Sequence, residues 1–143
     1  MHRDSVRTMT SPALDAFLAE PRNVIVAGIR KDGSPHLSPN WFAWDGTSFY
    51  VSTTRTRAKY PIFRRDPRAE LLVDDPTGFR YVRVSGLMEI REDVTTELDR
   101  FRAIRVKHGR PVPPDDQLAA ELIAEERVLL TLTPATWTIR GLG

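Results

Sequence analysis

Apolar residues recur along the chain with two different periods, and the changes between them divide it into elements. Ser11-Pro12 followed by Ala13-Leu14-Asp15-Ala16-Phe17-Leu18 opens a short helix. It has a hydroxyl at the N-cap, proline at the first helical position, and Leu14, Phe17 and Leu18 on one face. Residues 23–30 (NVIVAGIR) are rich in β-branched side chains and run into the hairpin turn Lys31-Asp32-Gly33-Ser34. A second strand is expected over about 35–43 and a third over 48–53, joined by Trp44-Asp45-Gly46-Thr47. A fourth spans 69–74, and Asp75-Pro76-Thr77-Gly78 turns into a long fifth one over 79–91.

Helical spacing returns over 93–108, with Val94, Leu98, Phe101, Ile104 and Arg105 near one face and Gly109 as the stop. After the rigid connector Pro111-Val112-Pro113-Pro114, a helix over 115–126 and β structure over 127–133 and 136–140 complete the pattern. Strands at hairpin spacing with helices between them predict a mainly β architecture with α elements: a closed antiparallel barrel with peripheral helices, in one domain over 1–143.

Composition narrows the functional classes. With 143 residues and 16.3 kDa the chain supports one sizeable core. It has no cysteine, which excludes disulfides, thiolate nucleophiles and cysteine-based zinc sites. No apolar run reaches the roughly 18–20 residues of a membrane span, and residues 1–10 lack the apolar stretch of a signal peptide. The expectation is a cytoplasmic protein without membrane association. The three histidines (His2, His36, His108) are far apart, and no nucleophile elbow, phosphate loop or dinucleotide fingerprint occurs. No catalytic residue and no metal site is assigned, so redox chemistry on this chain has to come from a bound cofactor.

Charge changes the picture in one place. The formal net charge is only +2, yet residues 52–68 (STTRTRAKYPIFRRDPR) hold six cations and one carboxylate. A local concentration on a nearly neutral chain argues against nucleic acid as a partner, which usually meets a broadly basic domain. Ser52 and Thr53 end the third strand, and Arg55, Arg57 and Lys59 follow. Hydroxyls, backbone N–H groups, a planar guanidinium and a mobile ammonium in this order suit a phosphate. A solvated, partly helical face, broken or restarted at Pro61, is the competing reading, and spacing alone does not choose between them. Arg64, Arg65 and Arg68 read as structural, with Arg65 or Arg68 pairing Asp66, Asp74 or a partner chain.

The stretches KDGSPHLSPNWFAWDG, TRAKYPIFRRDPRAELLVDD, RYVRVSGLMEI and RVLLTLTPATW occur in that order over roughly 12–140. Together they resemble the pyridoxamine 5'-phosphate oxidase-like flavoprotein superfamily, and within it the actinobacterial branch that uses the deazaflavin coenzyme F-420. The resemblance implies a split β-barrel and a homodimer with two cofactor sites between the barrels. It also implies an oxidoreductase that transfers a hydride between F-420 and a small unsaturated organic substrate. An FMN-dependent oxidoreductase is the alternative, as is a non-catalytic cofactor-binding protein.

On the matching positions, the resemblance implies that Arg57 and Lys59 hold the cofactor phosphate, aided by Ser52 and Thr53. Ser38, Pro39 and Asn40 run along the ring, and Phe79 and Tyr81 match aromatic positions that line the groove from the other chain. Arg55 and Arg127 add charge for the polyglutamate tail of the deazaflavin. Trp41 and Trp44 either shape a substrate pocket or pack internally, and His36 is structural. One departure stands out: Tyr60-Pro61-Ile62-Phe63 occupies the place where the branch commonly continues with an Arg-Asn pair, which keeps FMN open.

Overall fold

The computed structural model describes residues 4–5 and 11–142. Its strands are β1 (Asp4–Ser5), β2 (Val24–Ile29), β3 (Pro35–Asn40), β4 (Ala43–Trp44), β5 (Phe49–Thr54), β6 (Arg68–Asp74), β7 (Tyr81–Arg91), β8 (Arg127–Leu132) and β9 (Thr136–Arg140). Its helices are α1 (Pro12–Ala19), α2 (Lys59–Arg65), α3 (Leu98–Lys107) and α4 (Asp115–Ala124). Every ladder is antiparallel, and the strands follow the order β3-β2-β6-β7-β8-β5-β4, with β9 also on β7 and β1 on β9.

The long β7 is the pivot of this curled sheet. Its residues Tyr81 to Ser85 pair with β9, and Met88 to Arg91 pair with β8. Gly86 sits at the changeover, where a Cβ would lie 2.9 Å from the Thr133 carbonyl oxygen, so a side chain there would push the two partners apart. Among the described residues no ladder joins β3 to β4. The closed barrel predicted from strand spacing is therefore an open, split one, as the family resemblance implied.

Period-two alternation fills the main core. Val24, Val26, Leu71, Val73, Val82 and Val84 point inward, and Leu14, Phe17 and Leu18 of α1, Ile62 and Phe63 of α2 and Trp137 join them. Each such burial is worth about 1.5–3 kcal/mol relative to exposure. A smaller cluster lies under α3 and α4, built from Tyr50, Phe101, Ile104, Leu118, Leu122 and Leu129. The other face of the sheet leaves Leu37 and Leu87 exposed beside an apolar hollow of about 470 Å³ that includes Ala27, Ile29 and Pro35. No helix among the described residues is long and apolar enough to cross a membrane.

Several local expectations are met and others are corrected. Ser11 caps α1 through its Oγ, which accepts from the Leu14 N–H at 3.1 Å. The second strand is divided into β3 and β4 by a bend at Trp41-Phe42. The predicted 93–108 helix is a 3-10 turn (Val94–Thr96) followed by α3, and Gly109 (φ 72°) ends it in the left-handed conformation that glycine favours. Pro61 does not break α2 but sits in its first turn, where a backbone N–H has no intrahelical acceptor. The helix then rests directly on β2 at Gly28, where an added Cβ would lie 2.8 Å from Ile62 Cγ2 and 3.1 Å from the Phe63 ring.

Candidate functional site

At the end of β5 the chain turns into α2, and this junction, the β3–β4 bend, α3 and the start of β8 enclose a cleft of about 190 Å³. Its apolar floor is Phe101, Ile104 and Leu122, and its polar wall is Asn40, Ser52, Thr53 and four arginines: Arg57, Arg105, Arg110 and Arg127. No carboxylate among the described residues lines it. Arg127 is partly neutralised by Glu125 at 2.8 Å and also donates to Ser52 Oγ at 3.3 Å. Arg105, on the inner face of α3, reaches Glu121 at 3.3 Å. Arg57 and Arg110 have no carboxylate partner among the described residues.

Lys59 opens α2 and is 5% exposed. Its Nζ donates to Ser38 Oγ at 3.1 Å, an oxygen that also accepts from Asn40 Nδ2 at 3.2 Å, so Lys59 adjoins the cleft wall through two neutral side chains. Burial, and then the charge of Arg57, push its pKa down. A buried ammonium without a counterion costs several kcal/mol, and a chain that keeps one at a cleft has a charge to offer an incoming anion. Thr53 has the complementary shortfall, because its buried hydroxyl finds no partner among the described residues.

The residues singled out in the sequence divide clearly. Asn40, Ser52, Thr53, Arg57 and Arg127 line the cleft, with Lys59 and Ser38 adjoining it. Arg55 lies outside, bound to the Glu92 carboxylate at 3.1 Å. Glu92 also accepts from the Tyr60 hydroxyl at 2.8 Å, and these contacts hold its carboxyl below the usual range. Pro39 faces a different hollow beside Ile25 and Asp74. Phe79 is 82% exposed and Tyr81 half-buried, and neither lines the cleft of its own chain.

Trp41, at 43% exposed, lines the cleft and stacks on His108 with ring centroids 4.8 Å apart. Trp44 is a packing residue: its indole N–H donates to Asp15 at 3.0 Å, and its ring meets Phe49 and Trp137. His36 lies off the cleft, its pKa pushed down by burial and by Arg30 and Lys59. Arg68 pairs Asp66 at 2.7 Å and draws its pKa down to about 2, while Arg65 donates to the Ile29 carbonyl.

Arg105 and Arg110 were not identified as site residues from the sequence. The visible signal was Arg105 itself, a charge on the apolar face of a helix beside Phe101 and Ile104. Arg110 carried none, because its position depends on the reversal at Gly109, after which its N–H donates to the Arg105 carbonyl at 2.9 Å.

Residues 10–141 match the family described as pyridoxamine 5'-phosphate oxidase. The fold is similar to that of an F-420 reductase, with 29% identity, 86% of this chain and 94% of that chain covered, and a TM-score of 0.68. A conserved hypothetical protein from Mycobacterium tuberculosis shares it at 23% identity, 92% and 85% coverage and a TM-score of 0.78. So does the heme storage protein HutZ from Vibrio cholerae, at 15% identity, 93% and 96% coverage and a TM-score of 0.73. The last two likenesses are likenesses of fold. With nearly its whole length matched, and with the split barrel that the match requires, the chain belongs to the pyridoxamine 5'-phosphate oxidase family, whose members bind flavin-type cofactors.

Proposed function

We propose that this chain is a deazaflavin-dependent oxidoreductase, transferring a hydride between bound coenzyme F-420 and a small unsaturated organic substrate, and that it works as a homodimer. The observation that carries this reading is the pair Lys59 and Arg57. One is buried and one exposed, neither has a carboxylate partner among the described residues, and the Ser38 and Ser52 hydroxyls stand beside them. Such a set fits a cofactor phosphate, which supplies the missing countercharge. Similarity to an F-420 reductase supports the choice of coenzyme. So does a wall of four arginines, which offers more charge than one phosphate requires.

When bound, the coenzyme supplies the hydride chemistry. The chain's own part is to hold and orient. Lys59 and Arg57 anchor the phosphate, and Arg127 fixes the Ser52 hydroxyl at the strand end. Phe101, Ile104 and Leu122 keep water from beneath, which strengthens each ionic contact. A cleft of about 190 Å³ is smaller than the roughly 300–1,000 Å³ of sites that enclose a whole ligand. It receives the polar end of the cofactor, and a second copy seated on the outer sheet face beside Leu37 and Leu87 brings Phe79 and Tyr81 to the ring. Ser38 and Asn40 would meet the cofactor from the near side, whereas Pro39 faces the hollow beside Ile25 and Asp74.

A second reading, FMN, is favoured by one observation. Ile62 and Phe63 are buried in the core and Tyr60 is bound to Glu92, so α2 presents no further polar side chain in its first turn after Lys59.

The test combines assembly and affinity. The purified apoprotein should sediment near twice 16.3 kDa, and titration at one ionic strength should give a lower Kd for F-420 than for FMN. Tighter FMN binding transfers the assignment to that cofactor. A well-folded dimer that binds neither overturns the oxidoreductase reading, and a stable monomer that binds the cofactor overturns the shared site.

A further inference from the structure

The geometry points to a second anion subsite, built by Arg105 and Arg110 and suited to a carboxylate, distinct from the Lys59–Arg57 clasp and resting on that clasp being where the cofactor phosphate binds. The two arginines form a wall common to two hollows. One is the cleft already described, and the other, of about 400 Å³, is bounded by Pro111, Val112, Pro113, Gln117 and Glu121. Arg57, Ser52 and Arg127 line only the first. A ligand anchored at the clasp therefore meets Arg105 and Arg110 as the passage from one hollow to the next.

The local structure prepares both side chains. Arg105 is 7% exposed and held on the inner face of α3, so its guanidinium has little rotamer freedom left to lose on binding. Its one side-chain hydrogen bond among the described residues is the 3.3 Å contact to Glu121 through Nη1, whereas a guanidinium has five N–H donors. Arg110 is exposed, has no acid partner among the described residues, and is turned back beside Arg105 by Gly109 and the 2.9 Å bond between its N–H and the Arg105 carbonyl. The prolines that follow stiffen the outer wall.

Charge selects the ligand class. Glu121 lies in the same hollow and offsets one of the two cations, leaving the group with one net positive charge. That balance matches a single carboxylate better than a phosphate dianion, and a planar guanidinium can grip a carboxylate through two parallel bonds. Two sources carry this chemistry: the glutamate tail of the coenzyme and a carboxylate on the substrate.

The test uses the exposed member, so that folding is preserved, with Arg105→Gln as the second variant. Wild type and Arg110→Gln are titrated with F-420 bearing several glutamates, with the same coenzyme lacking them, and with glutarate against both the apoprotein and the coenzyme-loaded dimer. Loss of one charge-assisted contact should weaken the affected ligand about tenfold. A loss confined to the glutamated coenzyme identifies the tail as the source. Unchanged coenzyme binding with weakened glutarate binding to the loaded protein identifies the substrate. If both variants bind every probe as wild type does, the subsite is overturned. If wild type binds neither coenzyme, the proposed function fails, and glutarate binding to the apoprotein still decides the arginine pair.

Discussion

Six cations lie between residues 52 and 68, and the structure separates four that meet an acid, a carbonyl or the Tyr60 hydroxyl from two that, among the described residues, do not. Arg55 is bound to Glu92 and Arg68 to Asp66, Arg65 donates to a carbonyl, and Arg64 reaches the Tyr60 hydroxyl at 3.1 Å and lies over its ring. Among the described residues Arg57 and Lys59 meet neither acid nor carbonyl; Arg57 lines the cleft and Lys59 adjoins it. Charge density does not set these two apart on this surface; lying at the cleft with neither an acid nor a carbonyl among the described residues does.

The largest effect should come from Lys59→Ala, which should weaken cofactor binding by roughly 1.5–3 kcal/mol, the scale of a hydrogen bond to a charged group. Thermal stability should stay level or rise, since a buried unpaired charge is removed. Unaltered affinity in that variant would erase the distinction between the two sets of cations.

Lys107 sharpens the comparison from another side. It is half-buried with no carboxylate partner among the described residues, but its Nζ donates to the Leu18 carbonyl at 2.6 Å and lies 3.3 Å from the Phe42 ring centroid. Burial pushes its pKa from 10.5 to about 7. Between these values the unfolded chain holds a proton that the native state has released, so stability gained from this group rises with pH across that window and is lowest below pH 7. Lys107→Met should therefore stabilise the protein at pH 6 and flatten the rise toward pH 10 in denaturant melts, with cofactor affinity unchanged. A melt series in which wild type and variant run parallel would mean that the lysine titrates normally.

The smallest effect belongs to Arg64→Ala, which should change cofactor affinity and stability by no more than about 0.5 kcal/mol, as surface substitutions usually do. A loss as large as that of Lys59→Ala would show that the helix presents a general cationic face.

Much of this was legible in the chain. The alternation in 23–30 and 69–74, and the caps at Ser11 and Gly109, are local signals with local causes, and they place their elements to within a residue or two. The split of the barrel was not legible from spacing, because it depends on how β7 divides its length between β8 and β9, a long-range register that no window contains. Pro61 does not mark a break, because α2 starts two residues earlier with no side-chain cap and packs on β2 through Ile62 and Phe63. In the site, sequence order grouped Arg55 with Arg57 and Lys59, whereas an acid 37 residues away decides that Arg55 faces elsewhere. Arg105 and Arg110 enter by the opposite route, since tertiary packing brings distant charges to a strand end that only the strand's own neighbours had advertised.

Gly28 has a part in this arrangement although it touches no charge. With no side chain beneath it, α2 settles against the sheet at a height fixed by the Ile62 and Phe63 contacts, and Lys59 rides on that helix. One methyl group at position 28 would act as a shim, raising the ammonium relative to the serine hydroxyls with every cation still in place. If Lys59 and Arg57 hold a cofactor phosphate, the strength of that grip depends also on a hidden residue under the helix that meets no ligand.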